Sequence, residues 1–231
     1  MKSLKSYLLE FLMISIAVFL GFWAESFRNQ ISDNKKVMQT KKAIGKDLKK
    51  DLEQLDEYTN QAKFNLLMID RMDSLVSLNP NFIDQKDFYK TLVSYCVVYK
   101  FTPSDKSLKQ AEEMGVLQNE NIDSLSYFSM KYQYFLTDIR FVEDLLTEEY
   151  LNYSRKIIPK MTDPILFSKV WRFPFNELES KMGIHPLDKE TKNDLRFFMA
   201  NARWYYDAMQ INADSMRNYG NKMIQYIERY N

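Results

Sequence analysis

Apolar residues recur three and four positions apart along three long stretches of the chain, the spacing of a helix that buries one face. In the last stretch the seam is Leu195, Phe198, Ala202, Tyr205, Met209, Asn212, Met216, Tyr219, Met223, Tyr226 and Tyr230, with Asn212 its one polar member. Asp188 as an N-cap, or Pro186 at the first helical position, opens this helix. The central stretch repeats the pattern with Leu125, Phe128, Tyr132, Phe135, Ile139, Val142, Leu146, Tyr150 and Tyr153. Tyr134, Phe141 and Leu145 widen its apolar face, which predicts burial on more than one side.

The first stretch carries a seven-residue register through Ile31, Met38, Gly45, Leu52, Thr59 and Leu66, with partner positions Leu48, Leu55, Ala62, Ile69 and Val76. Followed backwards, the register passes Phe27, Ala24, Leu20, Ala17, Met13 and Glu10, so one helix is expected to run from the apolar N-terminal stretch into the polar part of the chain. Asn34 and Lys41 take seam positions, which reads as a solvated, lysine-rich stalk. The helix is expected to end near Leu78, because Pro80 restricts Asn79. Between the long helices, "DQKDFYKTLVSYCVVYKF" reads as a helix of about four to five turns. Thr102 then caps the next helix with Pro103 at its first position, and Gly115 terminates it. The predicted fold is all-α: residues 1–25 a transmembrane anchor, 26–47 a helical stalk and 48–231 an antiparallel helical bundle.

The N-terminal stretch "YLLEFLMISIAVFLGFWAESF" fixes the expected location. Leu4 to Ala24 is just long enough for a span of about 20 residues. Lys2 and Lys5 flank it on one side; Tyr7, Phe22 and Trp23 stand towards the two interfaces, before Glu25 and Arg28. A cleaved signal needs small residues before the cut, and Phe22 stands three places back from a cut after Ala24. A retained anchor is the better fit. Orientation draws opposing arguments. Arg28, Lys35, Lys36, Lys41 and Lys42 favour a cytoplasmic C-terminal domain. A short basic tail before an apolar run is instead the usual start of an exported, uncut anchor, and long domains cross with little regard to charge. The expectation is a periplasmic domain on the bacterial inner membrane.

Composition narrows the function classes. A net charge of +1 gives no electrostatic footprint for nucleic acid. Five glycines and six prolines disfavour a turn-rich β fold. Cys96 is the single cysteine, so no intramolecular disulfide forms, and within "LVSYCVVY" it reads as a small buried hydrophobe. The Glu-x-x-His pairs of a di-metal bundle cannot be built from one histidine, His185, which precedes Pro186 in a loop. No Gly-rich phosphate loop, nucleophile elbow or Cys-x-x-Cys occurs, and no catalytic, cofactor-binding or metal residue is assigned.

Two groups of residues are candidates for contact. A carboxylate inside a span is a functional candidate, so Glu10 is one, with Ala17 and Gly21 on a similar face where small residues four apart let two spans approach. Glu10 fits equally well among headgroups, and Ala17 and Gly21 as lipid-facing residues. The second group is Trp171, Arg172, Phe173 and Phe175 in the proline-rich segment 157–186, since Trp and Arg are enriched at binding hot spots. Covering the open end of the bundle is the commoner role for such aromatics.

Three stretches carry a resemblance: "YLLEFLMISIAVFLGFWAESFRNQ" leading into "DLKKDLEQL", then "FTPSDKSLKQAEEMGVLQNENI", and the tyrosine-rich helix that follows. They resemble an uncharacterised domain-of-unknown-function family of bacterial single-pass membrane proteins, over roughly the first two thirds of the chain. Glu10, Trp23, Glu25, Pro103 and Gly115 match that family's pattern, while the bulky "VFLGFW" stands where the family has a more polar run. The resemblance implies inner-membrane anchoring and no known enzymatic activity. The expected function is a membrane-anchored scaffold or accessory subunit in the cell envelope. It would contact lipid and a protein partner or a second copy of itself, and no nucleic acid. A ligand-sensing helical domain and an enzyme of unrecognised type are the alternatives.

Overall fold

The computed structural model describes residues 4–78, 83–94, 97–117, 124–163, 165, 167 and 184–230, with side chains from residue 9 onward. Among them are six helices: α1 (Leu4–Ser77), α2 (Gln85–Ser94), α3 (Lys106–Glu113), α4 (Leu125–Lys156), α5 (Ile158–Met161) and α6 (Lys189–Arg229). The β contact among the described residues is a single bridge, Thr162 to Ile184. The chain is all-α, as the periodicity predicts.

Paired residues fix the topology. α6 runs antiparallel to α1: Ile227 faces Gly45, Gly220 faces Leu52, Arg217 bonds Asp56 at 2.7 Å, and Arg203 bonds Asp70 at 2.9 Å. α4 runs antiparallel to α6, through Phe128–Tyr226, Phe135–Tyr219 and the stacked pair Tyr153–Phe198 at 4.2 Å. α1 and α4 therefore point the same way, and the chain must come back between them. It does so along α1 through α2, an extended strap at residues 97–105, and α3. Asn65 reaches Val97, Asp51 reaches Ser104, and Thr40 reaches Met114. The result is an up-down-up-down bundle whose second leg is half helix and half strap.

Here the structure corrects the sequence reading. The helix expected to run on through "VVYKF" ends at Ser94 among the described residues, and Val97 onward is extended. Thr102 and Pro103 do not cap the next helix; Asp105 is its N-cap. The reason is distance and backbone bonding. From Val97 to Ser104 the chain advances seven residues while its partners on α1 retreat fourteen, from Asn65 to Asp51. Seven extended residues at about 3 Å match fourteen helical ones at about 1.5 Å. The strap's backbone groups then bond to side chains of α1 and α4 instead of to a helical ladder. Gly115 does terminate α3, with φ at 70°, and Val116 and Gly115 donate back to Ala111 and Glu112 in a Schellman closure. Asp188 does cap α6, accepting from the Thr191 N–H at 2.7 Å.

Alternate members of the expected α1 and α6 seams are buried, Thr59 also on α1, while the others give way to neighbours one residue along. On α1 the partner positions Leu48, Leu55, Ala62, Ile69 and Val76 are buried as expected. Their companions are Ile44, Asp51, Tyr58, Asn65 and Met72, whereas Gly45, Leu52 and Leu66 are half-buried. On α6, Tyr206, Ala213, Gly220 and Ile227 are buried, and Tyr205, Asn212, Tyr219 and Tyr226 sit half-open at the flank. Asp51 and Asn65 are polar, and Ala213 and Gly220 are small, so a hydrophobicity pattern passes over all four. Tyr134 and Phe141 do not widen the buried face of α4; they are 57% and 63% exposed. Burial begins at Thr40, and from residue 9 to residue 39 α1 stands clear of the bundle apart from the half-buried Val37. At 1.5 Å per residue that free rod is about 45 Å long.

Candidate functional site

Three polar side chains that ought to be costly to bury sit at the centre of the bundle: Asp51 and Asn65 at 1% exposure and Glu143 at 3%. Each grips the strap. Asn65 Nδ2 donates to the Val97 carbonyl at 3.2 Å, Glu143 Oε1 accepts from the Phe101 N–H at 2.8 Å, and Asp51 Oδ1 accepts from the Ser104 N–H at 2.8 Å. The other Asp51 oxygen accepts from the Tyr132 hydroxyl at 3.0 Å. Asn65 also donates to the Tyr206 hydroxyl at 2.8 Å, which shares a bond with Tyr150 at 3.1 Å, so the network links α1, α4 and α6. Burial pushes the Asp51 carboxyl above its ordinary value, and the bonds from Ser104 and Tyr132 hold it back only in part. Burial does the same to Glu143 against the pull of Phe101, Tyr58 and Lys100. The Tyr132 phenol is raised by burial and then by the charge of Asp51.

This cluster has the marks of chemistry, buried carboxylates with perturbed titration, but both Asp51 oxygens are held by Ser104 and Tyr132 and one Glu143 oxygen by Phe101. A cavity of about 200 Å³ adjoins Asp51, between Pro103, Leu108, Tyr132, Leu136 and Arg140. Ligand pockets run to about 300–1,000 Å³. The geometry therefore describes a clamp that fixes an extended segment inside a helical bundle.

The second feature is the free N-terminal rod. Leu9, Phe11, Leu12, Met13, Ile14, Ile16, Val18, Phe19, Leu20, Phe22, Trp23 and Phe27 are all between 50% and 72% exposed. At 100° per residue these twelve positions spread over about 260° of the helix, and the remaining sector holds Glu10, Ala17, Gly21 and Ala24, also exposed. Trp23 and Phe27 stack at 6.1 Å at its polar end. Glu10, Ala17 and Gly21 share one face, all exposed, and a Cβ added at Gly21 would meet nothing within 4 Å. Trp171, Arg172, Phe173 and Phe175 lie outside the described residues, as do Cys96 and Gly183. Thr162 and Ile184 pair in an isolated bridge, beside which the His185 N–H donates to the Met161 carbonyl.

A third feature escaped the sequence reading. Along the groove between the N-terminal half of α4 and the C-terminal half of α6, cations lie over rings. Lys222 stands 4.9 Å from the Tyr219 centroid and 5.9 Å from Phe128, Lys131 lies 5.8 Å from Tyr127, and Arg229 lies 5.6 Å from Tyr230. Phe128, Tyr219 and Tyr230 were visible in the sequence as seam members, and Tyr127 was not. Phe128, Tyr127 and Tyr219 are half-buried and Tyr230 is exposed, which leaves ring faces to the cations.

The fold and these surfaces define an all-α protein with, among its described residues, one helix long and apolar enough to cross a membrane. No protein-family model, curated protein or solved structure matches the chain.

Proposed function

We propose that the protein is a single-pass, membrane-anchored helical scaffold or accessory subunit of the bacterial cell envelope that acts by protein–protein contact, without catalysis. One observation carries the reading: residues Phe11 to Ala24 carry no charge, are apolar apart from Ser15, and are all exposed along an unbroken helix. A protein partner covers one stripe of a helix, whereas a bilayer covers all of it. Leu4 to Ala24 measures about 31 Å along the axis, close to the hydrocarbon thickness of about 30 Å. On this reading Phe22 and Trp23 stand at the interface and Glu25 beyond it. On this reading the exposed rod beyond Glu25 holds the bundle away from the lipid of the inner membrane, and the domain meets its partners in the periplasm.

Fractionation of the full chain tests this. The protein should stay with membranes through alkaline carbonate and be released by detergent, and Ile16→Arg with Phe19→Arg should shift it out of the carbonate-resistant fraction. Release by carbonate alone would remove the anchor. Labelling of an exposed cysteine placed at Lys63, in a Cys96→Ser background, with a membrane-impermeant maleimide on spheroplasts reads the orientation; lack of labelling until lysis would put the bundle in the cytoplasm.

A further inference from the structure

We propose that the outward face of α1 from Arg28 to Lys50 docks an acidic helix of a second, different membrane protein that stands beside α1 on the same bilayer. The inference rests on the anchored-scaffold reading above and names the chemistry of its partner.

Arg28, Lys35, Lys42 and Lys49 stand seven residues apart on α1, with Lys46 and Lys50 beside them. At 100° per residue the six cations fall within a sector of about 100°, opposite the buried Ile44, Leu48 and Leu55. All six are exposed. The carboxylates of this stretch are engaged outside the sector: Asp33 pairs with Lys36 at 3.1 Å, and Asp47 accepts from the Ser107 hydroxyl. Among the described residues, Lys49 is the one member of the file with an ion pair, to Glu228 of α6 at 2.9 Å. A solvated helix face ordinarily interleaves opposite charges, because like charges four residues apart repel. Here Lys46 stands four residues from both Lys42 and Lys50. The file ends where Glu53 and Glu57 take over the same sector.

The height and sign of the file select its occupant. Lipid headgroups lie too low. α1 is unbroken, so Lys42 and Lys50 stand about 27 and 39 Å along the axis beyond Ala24. The headgroup layer is about 5–8 Å deep, and even a tilt of about 40° brings only the lower end of the file near it. A second copy held at the same height by an equal span sets this face against itself across a two-fold axis, cation against cation. Nucleic acid would meet Glu53 and Glu57 directly above the file, on a chain whose net charge is +1. A helix parallel to α1 with Asp or Glu every seven residues meets the whole file, because heptad spacing keeps two helices in register. Lower on α1, Ala17, Gly21 and Ala24 share the sector, and small side chains let a second span follow the same line through the bilayer.

Site-specific photo-cross-linking of the full chain in native membranes is the test. A benzophenone side chain in place of Gln39, inside the file, should give an adduct, and the same group in place of Asp33, on the other side of α1, should not. The cross-linked peptide should come from a different protein and carry Asp or Glu at seven-residue spacing beside an apolar span. Lys42→Glu with Lys46→Glu should cut the adduct by roughly tenfold or more, because like charges then face each other. Lys42→Arg with Lys46→Arg should preserve it. The helical circular dichroism should not change, and Lys35→Glu serves if the pair fails to fold. An adduct with a second copy, a lipid or a nucleic acid, a partner peptide without that acidic file, a yield indifferent to charge reversal, or no adduct from an anchored protein each overturns the proposal. Release of the parent chain by carbonate would instead overturn the anchor, so the two failures are distinct.

Discussion

The Tyr132 hydroxyl donates to Asp51 Oδ2 at 3.0 Å across the middle of the bundle, while Asp51 Oδ1 holds the Ser104 N–H at 2.8 Å. One buried carboxylate thus ties two parallel helices to the extended strap. Replacing Asp51 by Leu removes the acceptor for both donors and should destabilise by about 2–5 kcal/mol, since each orphaned buried group costs about 1–3 kcal/mol. Asp51→Asn keeps an acceptor for Ser104 and can donate to the Tyr132 oxygen, so it should fall close to the parent. Thermal melts of the detergent-solubilised full chain compare the two.

The same clamp sets an unusual pH response. Asp51 and Glu143 titrate above their ordinary values in the fold because burial disfavours the charge. A carboxyl with a raised folded value contributes stability that is fully present below the unfolded value and lost as pH rises through the folded one. From mildly acidic to neutral pH these two groups should therefore lower the melting temperature. Asp51→Asn with Glu143→Gln should flatten that decline, and a steeper decline in the double variant would contradict the account.

Asp188 should act with the opposite sign. Its carboxylate accepts from the Thr191 N–H, and that bond holds it below the ordinary aspartate value. Its contribution is present above the unfolded value and is lost as pH falls through the folded one. Asp188→Ala should speed amide exchange in the first turn of α6 at neutral pH, and the difference from the parent should shrink in acid.

Gly220 is a packing prediction. A Cβ there would lie 3.2 Å from Leu52 Cδ2 and 3.4 Å from the Tyr132 ring. Gly220→Val should cost about 1–3 kcal/mol by overpacking. Gly220→Ala should be close to neutral, because the helical gain of about 1 kcal/mol offsets a small shift of the Leu52 tip. Chemical denaturation of both variants measures the contrast.

Gly115 is a backbone prediction. Its φ of 70° suits glycine, so Gly115→Ala should destabilise by about 1 kcal/mol. The loss should concentrate in α3, where hydrogen exchange of Ala111 and Glu112 would report it. Uniform loss across α6 as well would show that the strap and α3 unfold only with the whole bundle.

Periodicity made the long helices legible because one face of each is mostly apolar. Leu48, Leu55, Ala62, Ile69 and Val76 followed directly, as did the Asp188 cap and the Gly115 stop. The clamp was not legible, because Asp51, Asn65 and Glu143 look like solvated positions until their partners arrive from the strap, residues 97–105. Nor was the cationic file of α1, because its lysines read as a solvated stalk until the fold shows which side of the helix the bundle covers. The four aromatic-segment candidates, from Trp171 to Phe175, lie beyond the described residues.

By itself the sequence determined the helical class, the run of apolar residues long enough for a membrane, the Asp188 cap and the Gly115 stop, since spacing, caps and glycine conformation act within a few residues. The tertiary structure alone decided which polar groups are buried, why the second leg unwinds into a strap, and which face of α1 turns away from the core. Those outcomes depend on hydrogen-bond partners and neighbours tens of residues away, and no local pattern encodes what a side chain will meet across the bundle.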